Sequence, residues 1–425
     1  MRTTFCYIAL AAAAIISVVG CQDQKDLFAP KAPSAMYVPL PLPPINIILP
    51  RPGDLMEIAA GDQHTCVRKR SGAVSCWGWN RYGQLGVTTN TQCGTFSSDG
   101  QCSKQPVLVT APANASFVSA THITAGSQHT CATDANGAAW CWGYNYYGQI
   151  GKGTGGDQAS PLMVPGGFVF GSLAAGGETT CGTTNGSILL CWGQFPLAPG
   201  PAGRSYSPAQ VATGSYFSAM AVANDHACGN IGNNNWLCWG SNKYGQLGTD
   251  TTALQSSTPY TWVHVIDGAS HVAVTAGTTC ADQSNGTEQC FGHNVLLSNN
   301  LGQFGLLGNA SFWGNATFLP QTTGPLHGVS LSSNHGCGLD ATNAAFCWGL
   351  GDFGQLGNSS SQGSTAIVPV SGGHTYRALT VGLNHSCGIG TDNHVYCWGD
   401  NYYGQLGQPS ASIYGVNTPV QAIDP

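Results

Sequence analysis

Charge is scarce in this chain. Asp, Glu, Lys and Arg make up 8% of 425 residues, and only 13 residues are Lys or Arg. Proteins that hold nucleic acid neutralise phosphates with clustered basic side chains. The one short basic run here is Val67–Arg70, and a hairpin tip accounts for it, so nucleic acid is excluded as a partner. Helical periodicity of useful length is missing after residue 54, as are a nucleophile elbow, a phosphate loop and a metalloprotease helix motif. Acids are few and scattered. Asp62, Asp134, Asp225, Asp282, Asp340 and Asp392 fall near turns, where Asp caps its own backbone. No two are singled out as the converging pair a glycosidase needs. The chain is therefore expected not to be an enzyme and to carry no cofactor. What is abundant is Gly, at 59 copies, with Asn, Ser and Thr, as in a turn-rich β protein.

Arg2 precedes an apolar stretch from Phe5 to Val19, too short for a comfortable membrane span, which reads as a signal peptide over 1–20. Its end, Val18-Val19-Gly20-Cys21, looks like a bacterial lipobox, which implies cleavage before Cys21 and acylation of its thiol. Residues 21–53 hold eight prolines and read as a stiff tether. Gln22 lacks the Asp character associated with inner-membrane retention, so the expected location is the bacterial cell envelope, anchored by lipid at the outer membrane.

Sixteen cysteines remain beyond Cys6 and Cys21. Fourteen form seven pairs ten positions apart: Cys66/Cys76, Cys131/Cys141, Cys181/Cys191, Cys228/Cys238, Cys280/Cys290, Cys337/Cys347 and Cys387/Cys397. Turn signals such as "RSGA", "DANG" and "QSNG" lie between them, flanked by short alternating segments, so each pair brackets a β-hairpin. Cysteines placed symmetrically about a turn face each other across the strands, at a separation that suits a disulfide. Zinc sites favour two to four residues between paired ligands, which this spacing is not. Cys93 and Cys102 sit together in an insertion and are expected to pair as well.

Each second cysteine opens a repeated phrase: "CWGWNRYGQLG" at Cys76, "CWGYNYYGQIG" at Cys141, "CWGSNKYGQLG" at Cys238, "CWGLGDFGQLG" at Cys347 and "CWGDNYYGQLG" at Cys397. A unit adds a strand after Pro and a strand ending in Ala-Gly, giving four strands in about 50 residues, the size of a propeller blade. Seven units make an all-β, seven-bladed β-propeller over 54–425, with four-stranded antiparallel blades and one hairpin disulfide per blade. The repeated Trp is expected to pack between neighbouring sheets. The C-terminal Thr418–Asp424 resembles the first strand of a unit and is expected to complete the Cys66/Cys76 blade, with Ile45–Leu49 as the rival donor. Two units depart from the pattern: "WGQFPLAPGPAG" follows Cys191, and Phe291 follows Cys290, with Leu306 in place of Gln further on.

The segments "IAAGDQHTC" and "CWGWNRYGQLG" resemble the repeat of the regulator of chromosome condensation family, a seven-bladed β-propeller family. The resemblance implies work by protein contact through blade loops. The family's nuclear activity does not carry over, because this chain has an export signal, disulfides and no basic tail.

A His stands two positions before the first Cys in five units, at His64, His129, His226, His335 and His385, with Thr179 and Thr278 in the other two. A ring of histidines invites a metal reading. A structural hydrogen bond within each blade is the simpler one, since Thr replaces His as a bonding partner but is a poor ligand; no metal is expected. The aromatic six places after each second Cys is nearly constant (Tyr82, Tyr147, Tyr244, Phe353, Tyr403) and reads as structural. Positions three and five vary, and there Trp79, Arg81, Tyr144, Tyr146, Lys243 and Tyr402 offer interface chemistry; burial between blades is the alternative. The sequence thus points to an envelope-anchored scaffold that binds an unknown protein partner and meets the membrane only through its lipid. The alternative is a carbohydrate or cell-wall glycan binder, and an exported hydrolase is third.

Overall fold

In a computed structural model the chain divides into two compact units, Met1–Leu49 and Pro50–Pro425. The structure describes residues 54–425 apart from 95–99, 111–118, 195–203, 214–216, 249–262, 267, 284–287, 293–315 and 319–325, together with 5–8 and 19–22. The alternative strand Ile45–Leu49, most of the Pro-rich tether and Leu306 lie outside the described residues. In the first unit Phe5–Ile8 pairs antiparallel with Val19–Gln22, setting Cys6 opposite Cys21. Among the described residues no helix is long and apolar enough to cross a membrane.

The second unit is a seven-bladed propeller of antiparallel sheets. Each hairpin forms where the cysteine spacing places it: Cys66 registers with Cys76, Cys131 with Cys141, and so on to Cys387 with Cys397. The structure joins all seven pairs, with Cα atoms 4.0–4.1 Å apart, and also Cys93 to Cys102. The Gly of each Cys-Trp-Gly is a conformational necessity. Gly78 has φ +101°, and a Cβ there would fall 2.5 Å from the Gln63 carbonyl.

The phase of the blades differs from the sequence expectation. Blade 1 is Leu55–Ala60, His64–Lys69, Val74–Trp79 and Gln101–Leu108, with Thr91–Gln92 as a short fifth strand. The strand after Pro closes the preceding hairpin, since Cys76 registers with Val107. Blade 7 is likewise continuous: Tyr376–Val381, His385–Gly390, Val395–Gly399 and Val416–Gln421, with Cys397 opposite Val420. The C-terminal strand therefore completes its own blade and not the Cys66/Cys76 blade. The "GQLG" phrase is accordingly the connection between a blade's third and outer strands.

The core is divided among the seams. Seven apolar clusters each span two adjacent blades. Trp142 of blade 2 packs with Cys66, Cys76 and Leu85 of blade 1, as expected for a Trp between sheets. The seventh cluster joins the ends of the chain: Leu55, Val67 and Trp77 meet Ile389, Val395 and Leu406. Seam hydrogen bonds add to it, from Leu55 N to Asn393 Oδ1 and from Ala60 N to Thr380 Oγ1, both 3.0 Å.

Candidate interaction face

Inner strands run toward the face that carries the "GQLG" loops, so the turns before each His and those loops share one end of the propeller. The opposite end carries the hairpin tips. The histidines hold the loop face together, and their bonds cross between blades instead of staying within one. His64 Nε2 lies 2.9 Å from Thr130 Oγ1, and Thr130 Oγ1 donates to the Gln84 carbonyl at 2.9 Å. The hydroxyl has one proton and spends it on a carbonyl, so the histidine donates from Nε2. The same relay joins His129 to Thr180 and Gln149, His226 to Thr279 and Gln246, His335 to Ser386 and Gln355, and His385 to Thr65 and Gln405. The indoles of Trp77, Trp142 and Trp398 donate to those carbonyls of Gln405, Gln84 and Gln355.

Burial holds His64, His129, His335 and His385 neutral, with pKa values pushed down to about 3. Nε2 faces a hydroxyl in every case, which leaves no second purpose for it. The imidazole of His64 lies against Gly61, where a Cβ would fall 2.2 Å from Cε1; this accounts for the Ala-Gly before the histidine.

Above this relay the loops of blades 1, 2, 4 and 7 are each built by their own Asn and Gln. Asn145 Oδ1 accepts from Ile150 N, its Nδ2 donates to the Thr154 carbonyl, and Gln149 Oε1 accepts from Tyr147 N. Asn80 and Asn401 repeat this in blades 1 and 7. The loop tips rest on the outer strand of the next blade, Gly83 on Ala159, Gly148 on Tyr206 and Gly404 on Lys104.

The variable positions crown these loops, and the structure treats them differently. Arg81, Tyr146 and Lys243 are exposed; Tyr144 and Tyr402 are half-buried. Trp79 is a correction: at 8% exposure it is packed, edge-on to Tyr82 and tilted against Tyr403, with both centroids 5.3 Å away. The near-constant position also departs once, since Phe353 is exposed. Together these rings form a run across blades 7, 1 and 2: Tyr402, Tyr403, Trp79, Tyr82, Tyr144, Tyr146 and Tyr147, with neighbouring centroids 4.6–6.4 Å apart. Arg204 of blade 3 extends it. Its guanidinium carbon is 5.1 Å from the Tyr146 centroid and 5.9 Å from that of Tyr206. Sequence reading missed Arg204 and Tyr206, which sit on an outer strand after a tail without the repeat phrase. The Cys93–Cys102 insertion borders the run, where Asn80 N donates to the Gln101 carbonyl and Gly100 packs on Arg81.

Asp134, Asp340 and Asp392 cap hairpin turns as expected. Asp62, Asp225 and Asp282 do not: Asp225 accepts from Gly277 N of blade 5 and from Gln246 Nε2, Asp282 accepts from Gly328 N of blade 6, and Asp62 lies on the loop face at the axis. There a recess of about 190 Å³ is lined by Asp62, Ser127, Asn224 and Ser333. Burial, reinforced by the Asp62 charge, pushes the Glu178 carboxyl up to about 8, against the opposing hydrogen bond from Gln149. Burial also raises Asp62.

Comparison with known proteins agrees with this architecture. Profiles of the regulator of chromosome condensation (RCC1) repeat match residues 57–84, 120–149 and 376–405, and residues 71–133 and 392–424. The chain is similar to the ultraviolet-B receptor UVR8 of Arabidopsis thaliana, 32% identical over 139 residues, which is 32% of this chain and 29% of the receptor. It is 34% identical over 148 residues to the secretion-regulating guanine nucleotide exchange factor of Bos taurus, 34% of this chain and 30% of that one. It matches the probable E3 ubiquitin-protein ligase HERC4 of Homo sapiens at 30% over 112 residues, 26% of this chain and 9% of the ligase. The chain thus spans less than a third of the length of each of these curated relatives. Prp20p of Saccharomyces cerevisiae shares the fold, with a TM-score of 0.65 over 87% of this chain and 88% of its own at 16% identity. Human WBSCR16 does so at 0.62, covering 77% and 84% at 16% identity.

Proposed function

We propose that this chain, a seven-bladed propeller carrying regulator of chromosome condensation repeats, is a binding scaffold of the bacterial envelope that holds a protein partner on its loop face. Propellers of this kind are general protein-interaction scaffolds. Prp20p has been studied for its binding to Gsp1p and histones, and yeast RCC1 (Prp20) for its complex with Kap60. The observation that carries the reading here is the aromatic run from Tyr402 to Tyr147, flanked by Arg81 and Arg204. Packing between blades consumes the repeated Trp and Leu, but Tyr146 is 54% exposed and meets blade 3 only at the surface, through Arg204 and Tyr206. Tyr and Arg anchors of this type dominate the energetics of protein interfaces.

Anchoring rests on the lipobox ending in Cys21 and on the disulfide-rich hairpins, which suit an oxidising compartment. Labelling cells with a palmitate analogue tests it. The mature protein should take up label, and Cys21→Ser should abolish it; an unlabelled protein would end the lipoprotein reading. Crosslinking on intact cells tests the scaffold. A photo-reactive residue at Tyr146 should capture a protein that the same residue at Arg70, on the hairpin face, does not. Capture from Arg70 alone would move the interface to the opposite end.

A further inference from the structure

The loop face partly sorts its charges. Asp62 lines the axial recess, Glu178 is mostly buried within reach of its charge, and Asp400 is buried under its own loop, while Asp157 and Asp352 are exposed on the loops of blades 2 and 6. Three of its cations lie outward on tyrosine rings. Arg81 is 5.7 Å from the Tyr82 centroid, Arg204 is 5.1 Å from that of Tyr146, and Lys243 is 5.0 Å from that of Tyr244. Arg204 donates from Nη1 to the Tyr146 carbonyl at 3.3 Å and to Tyr206 Oη at 3.0 Å, both uncharged acceptors. Among the described residues no ion pair contains Arg204 or Lys243. A guanidinium has five donors in a planar fork, so Arg204 keeps donors to offer, held in place by two rings.

From this arrangement we infer that the face binds an acidic segment of a polypeptide, with a carboxylate received by Arg204 and an apolar or aromatic neighbour laid over Tyr144 and Tyr146. This deepens the scaffold reading and rests on it. Charge complementarity selects the anion. The rings favour a peptide over a glycan, because the repeated amide side chains beneath them are already used. Asn80, Asn145 and Asn401 are at most 3% exposed and tie their own loops. Gln84, Gln149 and Gln405 are equally buried. Along the aromatic run itself the surface offers ring faces, ring edges and the Arg81 and Arg204 cations, which is the chemistry of a protein hot spot.

The test selects a random peptide-display library on the full-length protein and runs an oligogalacturonate array beside it. Enriched peptides should carry Asp or Glu next to Phe, Tyr, Trp or Leu, and should weaken as salt is raised. Arg204→Gln and Tyr146→Ala should each lower their affinity roughly tenfold or more. Arg70→Gln on the hairpin face should not, and melting temperatures should match across the variants. Neutral or basic enriched peptides, no enrichment, affinities indifferent to Arg204→Gln, or binding of the oligogalacturonate alone would each overturn the inference. The scaffold reading would survive these results if crosslinking from Tyr146 still captured a protein whose contact segment is not acidic; it falls only if that capture fails.

Discussion

The relay histidines donate from Nε2, and His64, His129, His335 and His385 have little to gain from a second proton; His226 differs, since its Nδ1 faces Asp225 Oδ1 at 2.9 Å. In His64, His129 and His385 the other ring nitrogen is buried without a partner. Their neutral state has a consequence for pH. With folded pKa values near 3 and an ordinary value of 6.5, the unfolded chain takes up protons on His64, His129, His335 and His385 before the folded one does. Their contribution to stability is complete above pH 6.5 and is lost as pH falls from there toward 3. Glu178 acts in the other direction. Its folded pKa near 8 exceeds the ordinary 4.5, so the folded state holds the proton more tightly, and stability falls as pH rises from 4.5 to 8. Between pH 6.5 and 8, above the range in which the histidines act, calorimetry should show wild type losing melting temperature and Glu178→Gln staying level, with the two equal near pH 4. Parallel profiles would mean that Glu178 titrates normally. Removing one hydroxyl is a separate test. Thr130→Val leaves the His64 N–H unpaired in the core and the Gln84 carbonyl with the Trp142 indole as its remaining donor, which should cost about 1–3 kcal/mol in urea denaturation.

The blades are alike as elements, but their seams are not. Where a blade carries the relay His, the next carries a hydroxyl before its first Cys: Thr130, Thr180, Thr279, Ser386 and Thr65. Where a blade carries Thr179 or Thr278 instead, the next has Ala227 or Gly336, which have no hydroxyl to offer. The relay therefore cannot form between blades 3 and 4 or between blades 5 and 6. Hydrogen exchange should open these two seams first, with amides of Ala219–Val222 and His327–Leu331 less protected than those of Ala120–Ala125 and Tyr376–Val381. Uniform protection around the ring would show that apolar packing alone sets seam strength. This pattern was present in the sequence, and comparing each repeat with the next at a one-position offset would have found it; looking for bonds within a blade hid it. The hairpins and their disulfides were fully legible, because strand register is local and a ten-residue spacing fixes it. Blade phase was not. A repeating sequence marks no start, and the pairing of Val107 with Cys76 spans a long insertion that no local rule constrains. Nor was the burial of Trp79, since variation between repeats says nothing about exposure; the Tyr403 loop of the preceding blade covers it.

At the scale of the whole ring, each blade is one continuous segment, and the first and last blades meet only as neighbours. Blade 1 and blade 7 share no strand. They are joined by an apolar cluster, by the relay from His385 to Thr65, by Leu55 N on Asn393, by Leu383 N on the Asp62 carbonyl, and by Arg377 on the Leu55 carbonyl. A seam of this kind needs no covalent link on either side, so the position of the break in the chain should matter only through the seam it falls on. Joining residue 425 to residue 54 through a short linker and opening the chain between Gly166 and Gly167 places the break at the seam of blades 2 and 3, which the relay from His129 to Thr180 holds. That permutant should fold with stability near that of the parent propeller. Opening instead between Thr213 and Phe217 places the break at the seam of blades 3 and 4, where no relay can form. That permutant should be weaker by about 1–3 kcal/mol, the value of one buried hydrogen-bond relay, and should lose protection first in blade 4. Equal stability of the two would show that the histidine relay adds nothing to closure and that the ring is held by its seven apolar clusters alone. Failure of the first to fold would show that the break between blades 7 and 1 is privileged, and that the chain ends contribute more to closure than their bonds account for.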